Sequence, residues 1–290
     1  MSKTSELRSY LDAPELTLVP GCHDALGARL IESASFPAVY ISGFSFASSR
    51  GKPDIGILTM RDVVERAAEI AQAVDLPVIT DADTGYGGPN NISECVRALE
   101  QAGLAGLHLE DQVMPKKCGA MAGKQLVDDA EMALRIQVAL DARTDPDFLI
   151  IARTDALTLH GIDEAARRCK AMEAAGADAV MVPSLCSVEE FETITNAVDV
   201  PVIYLAAETI RPMFGRDTLQ QAGFSMAFYP LTLIQMSVAA QRHALSSLLE
   251  TGTTEHLIDA MEPFSEIGKL VGNEEASALE QRFTHKDGGA

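Results

Sequence analysis

Positive charge is scarce in this 290-residue chain: 23 lysines and arginines stand against 42 aspartates and glutamates, a formal net charge of −19. Nucleic-acid binding draws on surplus Lys and Arg to displace counterions from phosphates, so that partner class is excluded, as is adsorption to an anionic membrane surface. A pocket in so acidic a protein can admit an anion only if it holds positive charge of its own, from a metal or from Lys and Arg. Cysteine is sparse and scattered. Cys22, Cys95, Cys118, Cys169 and Cys186 form no C-x-x-C pair and have no histidines at zinc spacing, the profile of reduced, intracellular thiols. Long apolar runs are missing too: nothing approaches the ~18 residues that span a bilayer, and the first residues lack the apolar segment of a signal peptide. A cytoplasmic location is expected. Nor do Gly85, Gly87 and Gly88 form the G-x-G-x-x-G that opens a dinucleotide-binding helix.

What the sequence does contain is repetition. With 47% apolar residues the chain can bury a full core, and a single domain over residues 1–290 is expected. Eight short strand-like runs recur at 16–21, 38–43, 77–83, 106–111, 148–155, 179–184, 201–206 and 226–230. Several are continuously apolar, as strands buried on both faces of a parallel sheet must be. Between them, residues 59–75, 91–102, 128–142 and 162–175 carry apolar positions at helical spacing. Three helical patterns close with Ala-Gly, at Gly103, Gly176 and Gly223, where glycine supplies the left-handed turn back to the sheet. Eight βα units in one α/β domain predict a (β/α)8 TIM barrel in preference to a doubly wound open sheet, which gives a similar local pattern. Residues 231–290 read as mainly helical, too long for one closing helix and available for oligomerisation, with the terminal Lys-Asp-Gly-Gly-Ala fraying.

In such a barrel catalytic groups sit at the C-terminal ends of strands, and there the chemistry gathers. Ser42 and Gly43 end the second run, Asp81 and Asp83 the third, Glu110 and Asp111 the fourth, Arg153 the fifth and Tyr229 the eighth. Acids crowded around one axis repel each other unless a cation lies among them, so a bound Mg²⁺ (or Mn²⁺) is expected. The loop after the fourth strand presents Cys118 behind Lys116 and Lys117; cationic neighbours lower a thiol pKa, which brings Cys118 towards neutrality and suits it to proton transfer. Taken singly, His108 reads equally well as a packed core histidine or a group beside the metal, and Asp24 as a helix cap. The other four cysteines read as inert.

Together the segments Tyr40-Ile41-Ser42-Gly43, Gly51-Lys52-Pro53-Asp54, Asp81-Ala82-Asp83-Thr84-Gly85-Tyr86-Gly87, His108-Leu109-Glu110-Asp111-Gln112, Lys116-Lys117-Cys118-Gly119 and Ala152-Arg153-Thr154-Asp155-Ala156 resemble the isocitrate lyase/phosphoenolpyruvate mutase superfamily, in its 2-methylisocitrate lyase and 2,3-dimethylmalate lyase branch. The resemblance runs from Pro20 to about Tyr229. Phosphonomutase-like members carry asparagine and serine where Cys118 and Gly119 stand, so the cysteine points to the lyases. The resemblance implies a Mg²⁺-dependent retro-aldol-type cleavage of a 2-hydroxy acid to a 2-oxo acid and a carboxylate. It also implies a mobile catalytic loop and a homotetramer with exchanged C-terminal helices. By the same resemblance Asp83 would hold the metal directly and Asp54, Asp81 and Glu110 through water. Cys118, Tyr40, Lys116 and Lys117 would serve catalysis, with Cys118 protonating the departing carbanion. Ser42, Gly43, Phe44, Gly119, Arg153, Leu205 and Tyr229 would line the substrate site.

Three positions depart from the lyase pattern. Ala120 replaces a histidine after Cys-Gly, Pro183 a glutamate after the sixth strand, and Leu205 an asparagine after the seventh. Each change removes a polar group from the end that would grip a distal carboxylate, whose unpaired burial is costly. Glu208 and Arg211 lie close enough in sequence to compensate. A dialkylated malate is therefore expected to suit the site better than 2-methylisocitrate. Two rival readings keep the same metal head: an oxaloacetate hydrolase or decarboxylase, and a catalytically silent barrel that binds a metabolite.

Overall fold

The computed structural model describes residues 1–284; the expected fraying of Lys286 to Ala290 lies outside them. The described chain falls into two compact units, Met1–Ile234 and a second from Gln235 onward. In the first, strands β1 (Thr17–Cys22), β2 (Val39–Ile41), β3 (Val78–Asp81), β4 (Gly106–Glu110), β5 (Leu149–Arg153), β6 (Ala179–Met181), β7 (Val202–Leu205) and β8 (Met226–Tyr229) close into one barrel in sequence order. Every neighbouring pair is parallel, and β8 returns to β1 with Thr17 opposite Met226. This is the (β/α)8 TIM barrel expected from the eight runs. Parallel strands need helical crossovers, and these begin where the sequence caps them. Thr59 and Asp62 form a capping box for Met60–Ala73, and Asp128 accepts from Glu131 N to start Asp129–Ala142. Three others, Pro89–Gln101, Ile162–Ala174 and Arg216–Gln221, stop just before Gly103, Gly176 and Gly223, whose φ values are +89°, +100° and +88°.

Alternation along each strand divides the buried residues in two. Val39, Ile41, Val78, Leu107, Leu109, Ile150, Ala152, Val180, Val202 and Tyr204 belong to the core packed against the helices. Val19, Tyr40, Ile79, Leu149, Ile151, Met181, Ile203, Met226 and Phe228 fill the barrel interior. That interior is joined by Leu7 and Leu11 of the helix Lys3–Leu11, which the sequence reading did not anticipate. Its start is marked by Ser2, whose hydroxyl accepts from Ser5 N.

The second unit is helical, as expected: most of Thr232–Thr251, a 3-10 turn Glu255–Ala260, then Phe264–Leu270 and Asn273–Thr284. It leaves large apolar side chains in solvent, Leu249 at 88% and Phe264 at 86% exposure among them. Among the described residues no helix is long and apolar enough to cross a membrane.

Candidate active site

The inward face of β2 to β5 turns from apolar to charged at its C-terminal end. On β3 the alternation that buries Ile79 carries Asp81 inward, and Asp83 follows with φ +50°. A left-handed aspartate costs on the order of 1–3 kcal/mol, an expense found where geometry serves function. Asp81 Oδ1 offsets part of it by accepting from Asp83 N at 2.9 Å. On β4 the inward pair is His108 and Glu110, both fully buried; on β5 it is Ile151 and Arg153. Gly43 faces these acids so closely that a Cβ there would lie 2.8 Å from Asp81 Oδ2. Ser42 caps the short helix Gly43–Ser49, and Phe44 on that helix is exposed.

Charge is unevenly matched in this cluster. Lys116 Nζ lies 2.6 Å from both Asp54 Oδ1 and Asp83 Oδ1. Arg153 pairs with Glu110 at 3.2 Å, with Asp155 at 3.0 Å and with Asp81 at 3.9 Å, and Lys124 reaches Asp155 at 3.4 Å. Five acids therefore share three cations. Burial resists ionisation of the strand-end acids: it pushes Asp83 up to about 7 despite Lys116, with Asp81 adding to the rise, and it drives Glu110 well above its ordinary value. Burial also opposes the charge on Asp81, but His108, Lys116 and Arg153 outweigh it and hold that acid at about 2. Both carboxylate oxygens of Glu110 lack a well-aligned hydrogen bond. Lys116 and Arg153 stay protonated, because the surrounding acids outweigh the burial that works against their charge.

The Tyr40 hydroxyl is 2.8 Å from His108 Nε2, and its ring stacks on Phe228 at 4.7 Å. Burial, then Asp81, raises the Tyr40 pKa well above the usual phenol range, and burial lowers His108 to about 4. Both are neutral near pH 7. His108 is thus hydrogen-bonded through one nitrogen while Nδ1, 3.7 Å from Asp81, has no hydrogen bond.

Cys118 departs from expectation. Its pKa is raised, not lowered: burial dominates, the Ala120 N–H opposes it in part, Asp54 adds to the rise, and Arg153 and Lys116 oppose it least. Lys116 has turned its charge to the acids, while Lys117 Nζ points to Ala122 O and its backbone N–H to Gln112 Oε1. Tyr229 also departs. It packs with the core between sheet and helices, and the inward neighbour on β8 is Phe228. Leu205 lies on the inward face, partly buried against the interior cluster. Pro183, two residues beyond the inward Met181, is buried. Both proposed compensators make hydrogen bonds of their own. Glu208 accepts from Thr232 Oγ1 and from Leu231 N, and Arg211 donates to the backbone at Glu208 and Ile210.

Lys124 was missed altogether, since a lysine in a Gly- and Ala-rich loop reads as solvated. Asp111 faces away from the cluster, accepting from Thr154 Oγ1, Asp155 N and Arg168 Nη1; it braces the β5 end from behind.

Comparison with known proteins meets this geometry from outside. The phosphoenolpyruvate phosphomutase family matches residues 7–249. A 2,3-dimethylmalate lyase of Eubacterium barkeri is 39% identical over 285 residues, 98% of this chain and 99% of that protein. A probable 2-methylisocitrate lyase 2 of Corynebacterium glutamicum is 40% identical, covering 96% and 92%. The crystal structure of a phosphoenolpyruvate phosphomutase from Streptomyces platensis subsp. rosaceus is 34% identical, covers 97% of this chain and 99% of its own, and gives a TM-score of 0.91. These names span different activities, yet each of the three proteins matches this chain over 96% or more of its length. The chain belongs to the phosphoenolpyruvate mutase/isocitrate lyase superfamily.

Proposed function

We propose that the chain is a Mg²⁺- or Mn²⁺-dependent carbon-carbon lyase that cleaves a substituted 2-hydroxy acid to a 2-oxo acid and a carboxylate. One observation carries the reading: five converging acids face three cations, a formal excess of two carboxylates, and a divalent ion is the partner that lets the buried Asp83 and Glu110 ionise together. The residues fit such an ion. The donors are hard carboxylate oxygens, two of them on Glu110 without hydrogen bonds, and Gly43 leaves their inner side free of a side chain. Among the described residues no three acid, histidine or cysteine side chains gather closely enough to hold an ion alone. Magnesium, which takes one or two carboxylates and keeps water, suits that spacing. Asp83 is the direct ligand in this reading, with Asp54, Asp81 and Glu110 acting through water. When bound, the ion supplies positive charge to the oxygens of the oxo-acid fragment.

The chain's own residues supply the rest. Arg153 holds the carboxylate of the 2-oxo-acid half, with Ser42 and Gly43 beside it. Tyr40, fixed by His108, donates a hydrogen bond at the substrate hydroxyl. As the carbon-carbon bond breaks, the hydroxyl proton leaves to a carboxylate of the acid cluster, the C=O forms, and the Cys118 thiol gives its proton to the released carbon. Opposite these groups Met181, Ile203, Leu205 and Phe228 offer an apolar wall, which supports a dialkylated malate as substrate over a tricarboxylate. The exposed apolar side chains of the C-terminal helices support a homotetramer with those helices exchanged, and the reduced-thiol composition supports a cytoplasmic location.

The test is turnover of a dialkylated malate with and without Mg²⁺, followed by release of a 2-oxo acid. Metal-dependent release of pyruvate is expected. Acetate and oxalate formed from oxaloacetate select the hydrolase instead, and no turnover of either leaves a binding barrel.

A further inference from the structure

The loop that carries Cys118 is held in an unusual way. Its base is closed by an antiparallel bridge between Gln112 and Leu126 and by Val113 N donating to Gln125 O at 2.7 Å. Of residues 113–125 only Lys116 and Lys124 are buried, at 2% and 7% exposure. No apolar side chain anchors the span. What fixes it is polar: Lys116 goes to the metal-site acids, and Lys124 Nζ to Gly119 O and to Asp155 Oδ1. Gln112 adds to these, accepting from Lys117 N at 2.9 Å and donating to Lys117 O at 2.9 Å and to Asp155 Oδ2 at 3.0 Å, and the Cys118 N–H donates to Asp54 O at 3.0 Å.

We propose that Lys124, Asp155 and Gln112 form a latch that holds this loop shut over Arg153, which makes Lys124 a positioning residue for Cys118. Asp155 is the shared catch. Its two oxygens receive Lys124 and Gln112 from the loop side and, at 3.0 and 3.2 Å, Arg153 Nη2 from the barrel side. The loop backbone presses on the same guanidinium, since a Cβ on Gly119 would come within 2.8 Å of Arg153 Nη2. An ion pair suits a latch better than an apolar contact does. A buried ammonium is stable only while paired, and opening returns the Lys124 ammonium to water while Asp155 keeps Arg153, so neither charge is left buried alone in the open state. One carboxylate thereby ties the position of the loop to the group offered to substrate.

The consequence for turnover rests on the lyase reading, but the latch is measurable without substrate. Cys118 is labelled with iodoacetamide in the full-length protein at one pH and followed by peptide mass spectrometry, which separates it from the exposed Cys186. Lys124→Met should label at Cys118 about tenfold faster than the parent, the factor that loss of one charge-assisted hydrogen bond gives. Lys124→Arg should return towards the parent rate. In turnover Lys124→Met should lower kcat more than it raises KM. Labelling of Lys124→Met at the parent rate overturns the latch, and so does Lys124→Arg labelling as fast as Lys124→Met. A protein that labels as expected yet cleaves no 2-hydroxy acid keeps the latch and loses the lyase.

Discussion

The two arcs of the barrel mouth are built by one backbone rule and end in opposite chemistry. On β2 to β5 the inward alternation runs out into Tyr40, Asp81, His108, Glu110 and Arg153; on β6 to β8 it runs out into Met181, Ile203, Leu205 and Phe228. Register is the same on both sides, so the difference lies wholly in which side chains occupy equivalent places. The scaffold fixes positions and leaves the substrate's character to the residues. A ligand that satisfies both arcs must be charged at one end and apolar along the other flank. Magnitudes favour that pairing. A distal carboxylate without its partner forgoes on the order of 1.5–3 kcal/mol, whereas each methyl group laid on the apolar arc contributes about 0.8 kcal/mol.

The charged arc breaks most completely through its metal acids. Asp83→Ala should abolish both turnover and Mg²⁺ affinity, the latter read by titration calorimetry; full affinity in that variant would remove Asp83 from the site. Next in size is Cys118→Ser. A hydroxyl of much higher pKa is a poorer proton donor, so kcat should fall by about 10²–10⁴ while thermal stability stays unchanged. Near-parental kcat at saturating substrate would make the thiol a bystander.

How much of this was legible beforehand follows the same division. All eight strands and four of the crossover helices were readable because burial on two faces, helical spacing of apolar residues and Ala-Gly stops are local signals. The acids were readable for a related reason: they stand at strand ends, where the barrel brings them together. The helix Lys3–Leu11 was not, since its packing against the barrel interior depends on residues far along the chain. Electrostatics misled at Cys118, because adjacency to Lys116 and Lys117 in sequence says nothing of where their ammonium groups point. Burial decides that thiol instead. Lys124 carried no signal at all, and Tyr229 was placed one residue out of phase with the inward face.

The apolar arc is sharpened by restoring one polar group. Leu205→Asn should raise kcat/KM for 2-methylisocitrate relative to a dialkylated malate by roughly tenfold, the value of one regained hydrogen bond to a charged group. If the parent already handles 2-methylisocitrate at about 10⁴ M⁻¹s⁻¹ or better, the arc has been rebuilt around the carboxylate by groups other than Glu208 and Arg211, and the comparison fails.

The smallest expected effect tests whether the apolar arc is apolar throughout. Tyr229 is its one hydroxyl-bearing strand residue at the β8 end, and the alternation turns it outward, into the core between sheet and helices, half-buried and pushed up in pKa first by that burial and then by Glu208. Tyr229→Phe should therefore leave kcat/KM nearly unchanged and shift stability by no more than about 0.5 kcal/mol, the range of a change that breaks no buried interaction. Tyr40→Phe removes the same atom from the inward face and is the control. It strands His108 Nε2 in a buried site, which costs about 1–3 kcal/mol, and it takes a donor from the substrate hydroxyl. Steady-state kinetics and thermal melts on the two variants read the contrast directly. A tenfold loss of kcat in Tyr229→Phe would mean that a hydroxyl from β8 reaches the substrate after all, and the division of the mouth into a charged and an apolar half would have to be redrawn.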